Sequence, residues 1–154
     1  MCCPGRRQAL IAAQQLLDLA QVRRVRDRID REPARPLDVE ALAREAGMPS
    51  GQLARRFRAA YGLSPYAYVT VRRVERAMEM LRQGDHSPAG LRIAVGCPST
   101  TVLVSRFTEL VGMPPEVYRR RAAAGDAGLP WCVTAPAPSS SSIEEAPAGA
   151  PRLA

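Results

Sequence analysis

The feature that most limits what this chain can fold into is an internal repeat. Phe57, Gly62, Pro65 and Tyr68 return fifty residues later as Phe107, Gly112, Pro115 and Tyr118, with intervals of five, three and three in both copies. A glycine precedes each frame, Gly47 ten residues before Phe57 and Gly96 eleven before Phe107. A unit used twice makes the chain a pair of related modules, and this has to be settled before any single segment is assigned.

Each copy has the grammar of two helices joined by a tight turn. In the first, Asp38 suits an N-cap, a short helix follows to Ala46, and Gly47 stops it. The turn Gly47-Met48-Pro49 leads into a second helix over about 50–61. Two helices at a steep angle across a glycine-bearing turn form the motif that reads a DNA groove. Leu53, Phe57 and Ala60 share the inward face of that second helix. Gly51, Arg55 and Arg58 lie opposite, flanked by Gln52 and Arg56. A guanidinium can fork onto guanine O6 and N7, and a glutamine amide can pair with adenine N6 and N7.

The second copy is the weaker reader. Ser87 can cap a helix with Pro88 at its first position. Gly90 in that helix costs roughly 1 kcal/mol relative to alanine. After the turn Gly96-Cys97-Pro98 comes a helix over 99–111, with Leu103, Phe107 and Leu110 inward. Its outward residues Thr101, Ser105 and Thr108 are neutral, and Arg106 is set to one side.

Between the copies, residues 65–83 predict one long helix with Tyr68, Val71, Val74, Met78 and Leu81 inward. Nineteen residues make a rod of roughly 28 Å, against roughly 34 Å between successive major-groove faces of B-DNA. A spacer of that length lets one chain touch two adjacent grooves. Upstream, residues 8–31 predict a helix whose apolar stripe is Leu16, Leu19, Val22, Val25 and Ile29, stopped by Pro33 and Pro36. Its second half is expected to pack on the first module. Its first half exceeds that need and either dimerises or only lengthens the helix. Residues 1–7 read as a frayed end, and 114–121 as a short closing helix ending in three arginines.

Charge points the same way. The net charge is +7, and all 22 basic residues are arginine. Residues 1–121 hold 21 of them against 12 acidic residues, whereas 122–154 hold one against three. The positive field therefore belongs to the helical part and favours a polyanion. From Ala122 the chain turns to Ala, Pro, Ser and Gly, a composition that predicts a flexible tail with Trp131 and Cys132 as its only anchors. Cys2, Cys3, Cys97 and Cys132 form no CxxC, and His86 is near none of them, which is poor zinc spacing. No metal or cofactor is expected. No apolar run approaches the ~20 residues that span a bilayer, so a soluble cytoplasmic protein is expected, with no membrane partner.

The residues Leu42-Ala43-x-x-Ala46-Gly47-Met48, Leu53-x-x-x-Phe57-x-x-x-x-Gly62-x-Ser64-Pro65-x-x-Tyr68, Arg73-x-x-Arg76-Ala77-x-x-x-Leu81, Ile93-Ala94-x-Gly96 and Phe107-x-x-x-x-Gly112-x-x-Pro115-x-x-Tyr118-Arg119 resemble the DNA-binding domain of the AraC/XylS family of bacterial transcription regulators. The likeness runs from about Ala20 to Arg121. It implies an all-α fold of about seven helices: two helix-turn-helix subdomains (37–61 and 87–111) joined by the linker helix 65–83, after an N-terminal segment (1–19) and before the tail (122–154). At this length the chain resembles the family's small stand-alone members, without a ligand-sensing domain.

The resemblance implies double-stranded promoter DNA as partner, with RNA polymerase a further candidate, and a monomer or weak homodimer acting as a regulator, activators included, on the bacterial nucleoid. Family base contacts fall on Gly51, Ala54 and Arg55, and on Thr100, Thr101, Val104 and Ser105. Ser50 opens the first reading helix, and Arg55 and Gln52 are expected to carry most base readout. Arg56, Arg58, Arg106, Arg119 and Arg120, with Arg121 beside them, are expected near phosphates. Gly51 and Ala54 are small where larger polar residues are common in the family, and Ser105 stands where an arginine is frequent. Two other readings are carried alongside. One is a cysteine-based alkyl acceptor or metal sensor, which bound zinc would reveal. The other is an interaction module that has lost DNA binding, which absence of binding at low salt would reveal.

Overall fold

The computed structural model describes residues 4–84 and 86–133. Among them are seven helices and no strand: α1 (Pro4–Arg31), α2 (Val39–Glu45), α3 (Ser50–Tyr61), α4 (Pro65–Gln83), α5 (Pro88–Val95), α6 (Thr100–Val111) and α7 (Pro115–Ala123). The architecture is all-α with two helix-turn-helix units, as the repeat predicts.

Two cores form. The first gathers Val22, Val25 and Ile29 of α1, Leu42 and Ala43 of α2, Met48 of the turn, Leu53 and Phe57 of α3, and Val69 of α4. The second gathers Val74, Ala77, Met78 and Leu81 of α4, Leu91 and Val95 of α5, Leu103 and Phe107 of α6, Tyr118 of α7, and Val133. Helix α4 is thus built into both cores, passing from one to the other between Val69 and Val74.

The Phe-Gly-Pro-Tyr frame now has a packing reason. Phe57 and Phe107 are fully buried on the inner faces of α3 and α6. Gly62 (φ 75°) and Gly112 (φ 85°) end those helices in the left-handed conformation, which a side chain would strain. Pro65 and Pro115 open the next helices at their first turn. One turn further on, Tyr68 and Tyr118 return to meet the phenylalanines edge-on, with ring centroids 5.4 and 5.5 Å apart. Such pairs add about 0.5–1.5 kcal/mol beyond their burial.

The helix-turn-helix turns repeat as well. The N–H of Met48 bonds the carbonyl of Ala43, and that of Cys97 bonds Arg92. In each unit the residue after the glycine folds back onto the core beneath it. The second turn holds one residue more before its helix, Cys97-Pro98-Ser99 against Met48-Pro49, and this absorbs the change of offset between the glycines and the phenylalanines.

The units are also tied directly, beyond the stiff spacer expected. Arg73 of α4 donates from Nε to the carbonyl of Pro33 (2.8 Å) and from Nη2 to that of Arg35 (3.0 Å). Gly96, in the second turn, lies so close to the same loop that a Cβ on it would stand 2.0 Å from the carbonyl oxygen of Ala34. Residues 33–35 are a seat on which the second unit rests.

Four expectations are corrected. Helix α1 begins at Pro4 rather than near residue 8, so residues 4–7 are helical, and residues 1–3 lie outside the described residues. Leu16 and Leu19 are exposed, because the inward stripe runs past the end of the unit it packs on; burial starts at Val22. Ala60 is exposed, its methyl too short to reach the core that its counterpart Leu110 touches. Residues 122–133 fold back instead of trailing away: the carbonyl of Pro130 accepts from Tyr118 (2.8 Å) and Arg82 (2.6 Å). Leu129 and Val133 join the second core there, while Trp131 is 76% exposed. Residues 134–154 of the expected tail lie outside the described residues.

Candidate nucleic-acid interface

The helices that follow the two turns, α3 and α6, are capped differently. At α6, the Ser99 hydroxyl accepts from the N–H of Val102 (3.1 Å). At α3 the cap residue is Pro49, which offers no side-chain bond. The N–H of Gln52, equivalent to that of Val102, bonds the Pro49 carbonyl instead (3.0 Å), so both helix starts are satisfied at their third N–H.

On α3, Gly51, Arg55 and Arg58 are exposed, and Ser50, Gln52 and Ala54 are half-buried. Arg55 and Arg58 make no ion pair or hydrogen bond among the described residues, so both guanidinium groups are open to an incoming ligand. Arg56 is placed differently. It leans against α1 and pairs with Asp18 at 2.5 Å, the carboxylate being only 15% exposed. Arg56, expected among the arginines near phosphates, thus has its charge already answered within the fold.

On α6, Thr101, Val104 and Ser105 are exposed and Thr100 is half-buried. Arg106 pairs with Glu109 at 2.9 Å. It also faces sideways, into a groove of about 600 Å³ between the units that Tyr66, Thr70 and Val102 help to line. The outward face of α6 carries no unpaired cation. On its other flank, Thr100 and Val104 share a hollow of about 330 Å³ with Arg119 of α7. Arg120 lines a separate hollow with Leu81, Arg82 and Gly84. Arg121 is taken up by Asp126, at 2.5 Å; the N–H of Gly128 and then this guanidinium hold the Asp126 carboxyl below its ordinary range.

Two contributions were missed from sequence. Arg92 departs from an apolar pattern, and its Nη1 donates to the carbonyls of Cys97 and Pro98 (3.2 and 3.3 Å), bracing the second turn. Asp30 accepts from the Tyr68 hydroxyl (2.7 Å) and pairs with Arg72 (3.0 Å), fixing the start of α4 against α1. Burial first, and then this hydrogen bond, push the Tyr68 hydroxyl pKa up. No group of His, Cys, Asp and Glu among the described residues is arranged to hold a metal ion. None of the described helices is long and apolar enough to cross a membrane.

A family model for the helix-turn-helix domain matches residues 42–121, just over half of the chain. An AraC-like transcription regulator of Streptomyces lividans is 38% identical over 92 residues. The chain belongs to the AraC-type helix-turn-helix family. The MtrA regulator of Neisseria gonorrhoeae is 28% identical over 89 residues. These matches cover 60% and 58% of this chain, and the chain spans about 30% of the length of either relative. Among solved structures, the DNA-binding domain of AdpA, determined with a target DNA, superposes with a TM-score of 0.65 at 28% identity, covering 68% of this chain and 95% of that one. The C-terminal domain of AraT, a response regulator from Geobacillus stearothermophilus, gives 0.62 at 26%, covering 65% and 84%. In this AraC-type chain the second helices of the two helix-turn-helix units are α3 and α6.

Proposed function

We propose that this AraC-type chain is a sequence-specific DNA-binding regulator of transcription that sets α3 and α6 into adjacent major grooves of promoter DNA, with α3 dominant. The observation that carries the reading is the contrast between the two helices. α3 presents Arg55 and Arg58 unpaired, while α6 presents threonine, valine and serine with its arginine turned aside. Arg55 and Gln52 read base edges, and Arg58 with Arg119 and Arg120 holds phosphates. Thr101, Val104 and Ser105 supply shape and thymine-methyl contacts in the second groove. The AdpA domain, solved with its DNA, supports the placement. Acting at promoters, the chain meets RNA polymerase as a second partner.

The test is selection of a binding site from random duplex, followed by titration of Arg55→Ala on the selected site and on unrelated DNA. Loss of a forked base contact costs about 1–3 kcal/mol on the selected site, with much less lost on unrelated duplex. Equal losses on both would make Arg55 a phosphate contact and overturn its reading role.

A further inference from the structure

The second unit holds a hollow that its own side chains leave unfilled. It measures about 330 Å³ and lies between α5, α6 and α7 beside the end of α4. Leu81, Leu91 and Leu103 line it, although they are only 5%, 2% and 1% exposed. Its apolar lining is therefore the core itself. Pro88, Pro114 and Pro115 line it too, and their rigid rings have no other rotamer that could swing inward and close the space. An apolar cavity of about 150 Å³ takes one benzene ring, so this hollow suits a guest of about one to two rings.

The polar groups narrow the chemistry. His86, Thr100 and Glu116 also line the hollow, and none of the three makes a hydrogen bond or ion pair among the described residues. Together they offer a carboxylate that accepts, a hydroxyl that donates or accepts, and imidazole nitrogens. Glu116 and Arg119 bring opposite charges to the same hollow, so a full charge of either sign on a guest is repelled by one of them. The guest that fits is flat, apolar and uncharged, with a hydroxyl to share. We propose that the hollow binds a neutral one- or two-ring phenol, its rings on the three leucines, its hydroxyl donating to Glu116 and accepting from Thr100. Thr100 and Val104 belong to α6, so the bound phenol rests against the second helix of this unit and leaves Arg55 and Arg58 of the first unit untouched.

The test is an NMR titration of the full chain, without DNA, using 2-naphthol. Saturable shifts are expected at Thr100, Leu103, Val104 and Glu116 but not at Arg55 or Arg58, with a dissociation constant of roughly 10 μM–1 mM, the range open to so small a ligand. Naphthalene-2-carboxylate, the same rings with a charge to desolvate, is expected to bind roughly tenfold more weakly. Thr100→Val keeps the shape of the side chain, removes its hydroxyl, and is expected to weaken 2-naphthol about 3–10-fold. Val104→Trp brings a ring into the hollow from a position 39% exposed, and is expected to abolish the shifts with helical circular dichroism unchanged. No saturable binding, shifts scattered over the whole surface, equal binding of the carboxylate, or full binding by either variant would overturn the proposal. None of these outcomes depends on whether the chain binds DNA.

Discussion

Gly96→Ala isolates the tie between the two units. Gly96 has φ 77°, where an L residue is strained by about 1–2 kcal/mol. The added Cβ would also stand 2.0, 2.6 and 2.7 Å from the O, C and Cα atoms of Ala34. All three are backbone atoms, so no change of rotamer relieves the overlap, and residues 33–35 must move. Their carbonyls are held by Arg73 at 2.8 and 3.0 Å, and weakening these charged hydrogen bonds costs about 1.5–3 kcal/mol. The total is about 2.5–5 kcal/mol, a large part of the 5–15 kcal/mol that usually holds a domain folded. Gly47 provides the control. It has φ 70° in the equivalent turn, and a Cβ there meets nothing within 4 Å. Gly47→Ala should therefore lose only the backbone strain, about 1–2 kcal/mol. Urea unfolding of both variants measures the difference, and a slope of about 2 kcal/mol per molar puts the Gly96→Ala midpoint roughly 1 M below that of Gly47→Ala. Equal midpoints would refute the seat. In the Gly96→Ala background, Arg73→Ala should cost clearly less than it does alone, because the two act on one loop.

Two further outcomes follow from the ionic groups. Asp18→Asn releases Arg56 and should steepen the salt dependence of DNA binding by about 0.9 in log–log slope, one added phosphate contact, at a stability cost of about 1 kcal/mol; an unchanged slope would mean that Arg56 cannot reach the backbone. Burial raises the pKa values of Tyr68, Tyr118 and the Cys97 thiol, so above about pH 9 the unfolded chain releases protons that the folded chain keeps. Stability is then fully present below that pH and falls as pH rises further, read as a urea midpoint that declines between pH 9 and 11; a midpoint that rises would contradict the sign.

Much of the fold was legible because the repeat fixed it twice. The left-handed glycines, the first-turn prolines and the returning tyrosines are local devices, and each occurs at a spacing that only one geometry satisfies. What stayed hidden was set by distant partners. Leu16 and Leu19 continue the apolar rhythm of Val22 and Val25, but periodicity says nothing of where the neighbouring unit ends. Arg56 looks the same as Arg55 in sequence, and its partner Asp18 lies on another helix. The low complexity after Ala122 masked Leu129 and Val133, two apolar residues sufficient to bring the chain back to α4. At the reading face, Arg55 and Arg58 were visible from helical phase alone. The sideways turn of Arg106 becomes clear only once α4 is in place beside α6.

The seat on residues 33–35 has a consequence for the promoter. With Arg73 and Gly96 both fastened to one loop, the two reading heads cannot swivel independently. A single base pair inserted between their half-sites would rotate one by roughly 35° about the duplex axis, since a turn holds about 10–10.5 base pairs. The protein has no joint to follow it, so the duplex would have to twist or bend, at a cost of order 1–6 kcal/mol. Operator spacing would then be policed as strictly as operator sequence, by a glycine that touches no DNA.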